Sequence, residues 1–172
     1  MDESSLLPAP DQDHAWCVLH ARPRCEKKVV EFCKTRSIYA YLPLMVKKHR
    51  YGARLRQYEV PLFTGYVFAL AGKQDVLTLR QNQRVANLLS VYDQDTLLRQ
   101  LQQVKTALDN QESMELFPHL VAGMKVEVRS GPLKGVEGFI HKLKSKTRII
   151  LNIDFIQQAV AVEVEADLLV PV

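Results

Sequence analysis

Cys17 and His20 are the pair that would suggest a thiol nucleophile beside its base, and their spacing defeats the idea. In HAWCVLHARP (14–23) the apolar residues Trp16, Val18 and Leu19 read as a short strand. A strand sends residues three apart to opposite faces, so Cys17 and His20 cannot form a dyad there. Metal chemistry has no better footing. Cys17, Cys25 and Cys33 recur every eight residues, whereas tetrahedral zinc sites bring their ligands in close pairs. His14, His49, His119 and His141 are scattered without metal spacing. Three cysteines are too few, and an odd number, for a disulfide scaffold. Neither a Walker loop nor a G-x-G-x-x-G run occurs. The expectation is a non-enzyme without metal or cofactor.

The chemistry that does concentrate is charge. Residues 22–56 carry eleven Lys or Arg against only Glu26 and Glu31. A second basic segment, 125–148, sets seven against Glu127 and Glu137. The first thirteen residues, and again 149–172, hold four acids and no base, so the formal net charge of +4 conceals the asymmetry. Such clustering points to a polyanionic neighbour such as nucleic acid, with a solvated surface as the alternative. At 47% hydrophobic and 24% charged, the 172-residue chain is of ordinary globular composition, and fibrous or wholly disordered readings are excluded.

These charges must be held by recognisable elements. After the first strand, Arg24 to Arg36 has no Gly or Pro and spaces Val29, Phe32 and Cys33 as one face of an amphipathic helix. Residues 39–70 read as strands around a basic hairpin tip at Arg50-Tyr51-Gly52, and YVFAL (66–70) as a strand buried on both faces. A short helix is expected at 74–81 and a strand at 85–91. In DQDTLLRQLQQVKTALDN (93–110), Leu97, Leu98, Leu101, Val104 and Leu108 form one helical stripe. Residues 14–109 therefore predict an α+β domain, an antiparallel sheet with packed helices. The polar tract 110–119, broken by Pro118, reads as a linker. Beyond it the period becomes two: Met124, Val126 and Val128; Ile149, Leu151, Ile153 and Phe155; Val160, Val162 and Val164. Such strands over 120–172 predict a small β-barrel domain.

Between two of those strands, VRSGPLKGVEGFI (128–140) supplies a tight turn at Gly131-Pro132 and Gly135, and Gly138 for close approach or bending. This segment resembles the KOW motif. AWCVLHARPRCEKKV (15–29), YLPLMVKK (41–48) and VPLFTGYVFAL (60–70) resemble the N-terminal domain of the NusG family of transcription elongation factors, through Trp16, Glu26, Pro43, Pro61, Phe63, Gly65 and Tyr66. The two motifs stand in the family's order over about residues 14–170. Thr64 stands where the family usually has Pro, and Arg24 lies in a loop where housekeeping members commonly have Gly. Together with the character of the tail, these departures lean towards a specialised, RfaH-like paralogue and antiterminator. A housekeeping member coupled to Rho and the ribosome is the competing reading.

The resemblance implies partners residue by residue. The surface around Phe63 and Tyr66, with Tyr58 nearby and Thr78 on the short helix, would bind RNA polymerase, Phe63 as an exposed anchor and Trp16 as core. Arg22, Arg24, Lys28 and Arg84 would face DNA or RNA of the elongation complex. Phe155 and Ile156 would receive a ribosomal protein or Rho, with Ile156 the more exposed of the two. In RfaH-like members the KOW domain can fold as a helical hairpin that masks the polymerase site. Here the regular alternation and the turn glycines instead predict strands in the free protein, a loose tether at 110–119 and an open Phe63–Tyr66 surface. A cytoplasmic monomer is expected: no apolar run approaches the roughly 20 residues of a membrane span, and the acidic N-terminus is unlike a secretory signal. From another class, a ribosome-associated RNA-binding KOW protein would share the charge and the barrel but not VPLFTGYVFAL.

Overall fold

The computed structural model describes residues 6–110, 114–119, 123–143 and 146–172. The chain forms two compact units, Pro8–Gln94 and Met1–Leu7 with Asp95–Val172.

In the first unit, β1 (His14–Ala21) is followed by α1 (Glu26–Thr35), β2 (Tyr39–Tyr41), β3 (Leu44–Tyr51), β4 (Arg54–Pro61), β5 (Tyr66–Gly72), α2 (Lys73–Arg80) and β6 (Val85–Ser90). The order β2-β5-β1-β6 makes one antiparallel sheet, and β3-β4 a separate hairpin ribbon. The run YVFAL became β5, flanked by β1 and β2, with Val67, Phe68 and Ala69 fully buried. Successive side chains alternate between the faces, so burial at three positions in a row means both faces of β5 are covered, as a strand apolar throughout predicts. Under one face, α1 contributes Val29 and Cys33, and α2 contributes Leu79, to a core with Leu19, Val67 and Leu88. Trp16 is core as expected. Its indole N–H donates to the Pro8 carbonyl at 3.0 Å, and its ring meets Tyr39 edge-on. A buried indole keeps its donor satisfied in this way.

The second unit holds α3 (Gln94–Asp109, all but its first residue), β7 (Met114–Pro118), β8 (Lys125–Val128), β9 (Glu137–Leu143), β10 (Lys146–Ile153), β11 (Gln158–Glu163) and β12 (Leu169–Pro171). The six strands form one antiparallel sheet, β12-β8-β9-β10-β11-β7. Val126, Val128, Ile149, Leu151, Ile153, Val160 and Val162 are buried, as alternation predicts. Met124, however, is exposed, and Ile150, Ala159 and Ala161 are buried as well, so β10 and β11 are covered on both faces. Gly131 and Gly135 take the left-handed backbone (φ +84° and +83°) that their turn requires. At Gly138 a Cβ would stand 2.5 Å from the Ile150 carbonyl oxygen, so only glycine permits the β9–β10 approach.

Three expectations need correction. Part of the expected linker is strand: β7 pairs with β11 from Met114↔Val162 to Pro118↔Gln158, while 111–113 lie outside the described residues. An edge strand draws its hydrogen bonds from its partner, and so needs little apolar pattern of its own. The compact units accordingly divide at Gln94–Asp95 rather than near 118, with α3 grouped with the sheet. Finally, β10 ends at Ile153, and a 3₁₀ turn at Asp154–Ile156 breaks its alternation. Ile156 is thereby buried and Phe155 half-buried, the reverse of the expected exposure.

Candidate functional site

Glu26 is 4% exposed, the single charged residue among the buried ones described in the structure. It opens α1, where the helix's unpaired N–H groups favour a carboxylate. Its Oε1 accepts the Gly65 N–H at 2.9 Å across 39 residues of sequence. Gly65 belongs to a tight turn, Phe63-Thr64-Gly65-Tyr66, closed by the Tyr66 N–H donating to the Phe63 carbonyl at 3.2 Å. The turn's third position needs positive φ in the type II form, and Gly65 has φ +86°. Its carbonyl in turn accepts the Ala21 N–H at 2.8 Å. The start of α1, the end of β1 and the start of β5 are thus tied at one point.

That knot positions a stacked pair of rings. His20 is exposed and Tyr66 half-buried; they pair across β1–β5 and stack with centroids 5.4 Å apart and planes at 24°. Two residues along, the Arg22 N–H donates to the Arg84 carbonyl at 2.8 Å, and the Arg22 Nε–H to the Gln83 carbonyl at 2.7 Å. Arg22, Arg24, Lys28 and Arg84 are all exposed. Arg24 holds φ +61°, a left-handed conformation uncommon for a side chain of its size. The loop after β1 therefore keeps its glycine-like backbone while carrying an arginine.

The other expected residues divide. Phe63 is not a surface anchor: it is completely buried, as is Leu62. The turn that exposes Thr64 carries the preceding Leu62 and Phe63 inward, Leu62 held by its N–H to the Pro43 carbonyl at 2.8 Å. Tyr58 is 45% exposed but belongs to the hairpin ribbon, opposite Lys47. Thr78 is half-buried on α2, its hydroxyl donating back to the Gln74 carbonyl at 3.2 Å. His20 went unassigned by sequence, although its cross-strand register to the resemblance residue Tyr66 is the signal that would have found it.

The arrangement offers rings and cations rather than reactive groups. Burial pushes the Cys17 thiol up to about 12 and the Cys33 thiol up to about 11, so both stay protonated and non-nucleophilic. Among the described residues no three His, Cys, Asp or Glu are grouped to hold a metal ion, and no helix is long and apolar enough to cross a membrane.

The family model described as "Transcription termination factor nusG" matches residues 14–108. No curated protein matches the chain. Among solved structures, a crystal structure of an MjSpt4:Spt5 complex in its conformation B is similar at 12% identity with a TM-score of 0.28, covering 91% of this chain and 96% of that one. Conformation A of the same complex gives 13% identity and a TM-score of 0.26, covering 91% and 97%. Likeness at that level adds nothing to the assignment.

Proposed function

The chain belongs to the NusG family, a non-catalytic family of transcription factors, and on that footing we propose that it acts on elongating RNA polymerase. The division of labour we propose gives residues 14–109 the polymerase clamp and 120–172 the recruitment of a second factor, a ribosomal protein or Rho, through the Phe155–Ile156 turn. Binding would favour the pause-resistant polymerase conformation over its alternatives, a population shift without chemistry. The observation that carries this reading is the Glu26–Gly65 knot. It fixes half-buried Tyr66 and exposed His20 as a stacked aromatic pair, with His20 two residues from Arg22. Aromatic rings held rigidly at a surface are what interface anchors use, and the neighbouring cations suit phosphates of the nucleic acid. Tyr58 and Thr78 belong to the same proposed polymerase contact. Arg24 in its left-handed loop supports a specialised antiterminator over a housekeeping member, because it adds a cation where a glycine would suffice.

The test is a purified elongation complex on a template with a strong pause. The wild-type chain should shorten the pause and co-purify with polymerase. A His20→Ala, Tyr66→Ala variant should remain folded and lose at least tenfold in polymerase affinity. Recovery of ribosomal RNA rather than polymerase from a pull-down would instead favour the ribosome-associated reading.

A further inference from the structure

The β3–β4 ribbon has two faces of different chemistry. Its register pairs Lys47 with Tyr58, His49 with Arg56 and Tyr51 with Arg54 on one face. Each of these three outer rungs sets one ring against one cation with no carboxylate between them, and Met45 opposite Val60 continues the face at the ribbon's base. The other face pairs Val46 with Glu59, Lys48 with Gln57 and Arg50 with Leu55, a mixture without such order. All twelve residues are exposed, Tyr51 to 63% and Tyr58 to 45%. No carboxylate among the described residues pairs with Lys47, Arg54 or Arg56. His49 and Tyr51 lie 4.4 Å apart between ring centroids, and a recess lined by Tyr51, Arg54, Arg56, Gln57 and Tyr58 opens beside them. The ribbon's base is tied to α1 by the Lys27 Nζ–H donating to the Glu59 carbonyl at 2.9 Å, which leaves the outer rungs clear.

We infer that the Lys47/Tyr58, His49/Arg56 and Tyr51/Arg54 face of this hairpin binds single-stranded nucleic acid, its rings giving stacking platforms to unpaired bases and its cations pairing with their phosphates. Successive rungs stand about 6.8 Å apart in backbone, but the His49 and Tyr51 rings lean together to 4.4 Å, so these two form one platform and Tyr58 a second. Stacked bases in a duplex rise only about 3.4 Å and hide their faces from protein rings. Unpaired bases drawn apart can each lie on a ring, which every base tolerates because every base has a π-face. Arginine stacks as well as pairing with phosphate, so Arg54 and Arg56 serve both roles. Tyr58 is shared with the proposed polymerase contact, but the other residues are distinct from it and from Arg22, Arg24, Lys28 and Arg84, and the binding needs no polymerase.

Fluorescence anisotropy of the full-length protein with labelled oligo-dT and oligo-U, in the absence of polymerase, tests it. Tyr51→Ala with Tyr58→Ala should weaken binding by roughly tenfold or more, given the usual loss per stacked base. Arg54→Gln with Arg56→Gln should lower the slope of log affinity against log salt by about 1.4, at about 0.7 per single-strand phosphate. The charge-matched variant Lys48→Gln with Arg50→Gln, on the opposite face, should change affinity much less. Circular dichroism should show all three variants folded. Tight binding of either probe supports the site, the tighter one identifying the sugar. Unchanged affinity in the tyrosine variant would overturn it, as would equal losses from the two charge variants, or a duplex competing as well as a single strand.

Discussion

Removing the Glu26 carboxylate should loosen the whole proposed site without touching its surface. In Glu26→Ala the Gly65 N–H loses its acceptor inside a buried turn. A buried donor left unsatisfied costs about 1–3 kcal/mol, and loss of a carboxylate at a helix N-terminus adds about 0.3–1 kcal/mol. The expected destabilisation is about 2–3 kcal/mol. Glu26→Gln keeps an amide oxygen at the same reach and loses only charge assistance, about 1 kcal/mol. For a domain of this size each kcal/mol moves Tm by roughly 4–8 °C, so calorimetry should show a drop of roughly 10–20 °C for the alanine variant and roughly half that or less for glutamine. Amide exchange supplies the local readout: Gly65 should be protected in the wild-type protein and in Glu26→Gln, and exposed in Glu26→Ala. Because the ring pair depends on this turn, polymerase binding should fall in the same order. Equal effects from glutamine and alanine, or an unchanged Gly65 exchange rate in Glu26→Ala, would refute the reasoning.

Thr64→Pro should stabilise the chain by about 0.4–1 kcal/mol, since Thr64 holds the second turn position, where proline pre-sets φ and shrinks the unfolded ensemble; a rise in the thermal midpoint checks it. Phe63→Ala should cost about 3–5 kcal/mol, because a fully buried ring is lost, so any binding defect should track unfolding seen by circular dichroism. Half-buried Cys25 should react with a thiol reagent in the native protein while Cys17 and Cys33 should not, counted by mass. The same two thiols set a pH limit: from pH 9.0, their ordinary value, up to about 11–12 the unfolded chain releases protons that the folded chain retains. Their contribution is full below pH 9.0 and is lost as pH rises through that window, so midpoints should fall there, and less so in a Cys17→Ala, Cys33→Ala double variant.

How much of this was legible in the sequence depended on whether a residue's fate is set locally. Period and composition carried β5, the amphipathic stripe of α1 and one buried face each of β8, β10 and β11, because each side chain's face follows from its neighbours in sequence. Burial of the opposite face at Ile150, Ala159 and Ala161 is set by packing that alternation does not show. Gly138 was legible for the same reason: a glycine inside a strand implies close backbone approach, and the Ile150 carbonyl is there. What failed was exposure decided by contacts distant in sequence. VPLFTGY names a turn, but whether Phe63 points out or in depends on how the chain is pinned at Gly65, by Glu26 39 residues earlier. Phe155 and Ile156 exchanged roles because a single 3₁₀ turn ends the strand, which alternation cannot foresee. The hairpin shows the opposite limit. Its basic character was plain in sequence, yet the sorting of rings and cations onto one face exists only once Lys47 is set against Tyr58. A slip of one residue in that register would place Lys47 opposite Gln57 or Glu59 and dissolve the ordered face. The pairing, and not the composition, therefore separates a binding surface from a merely charged one.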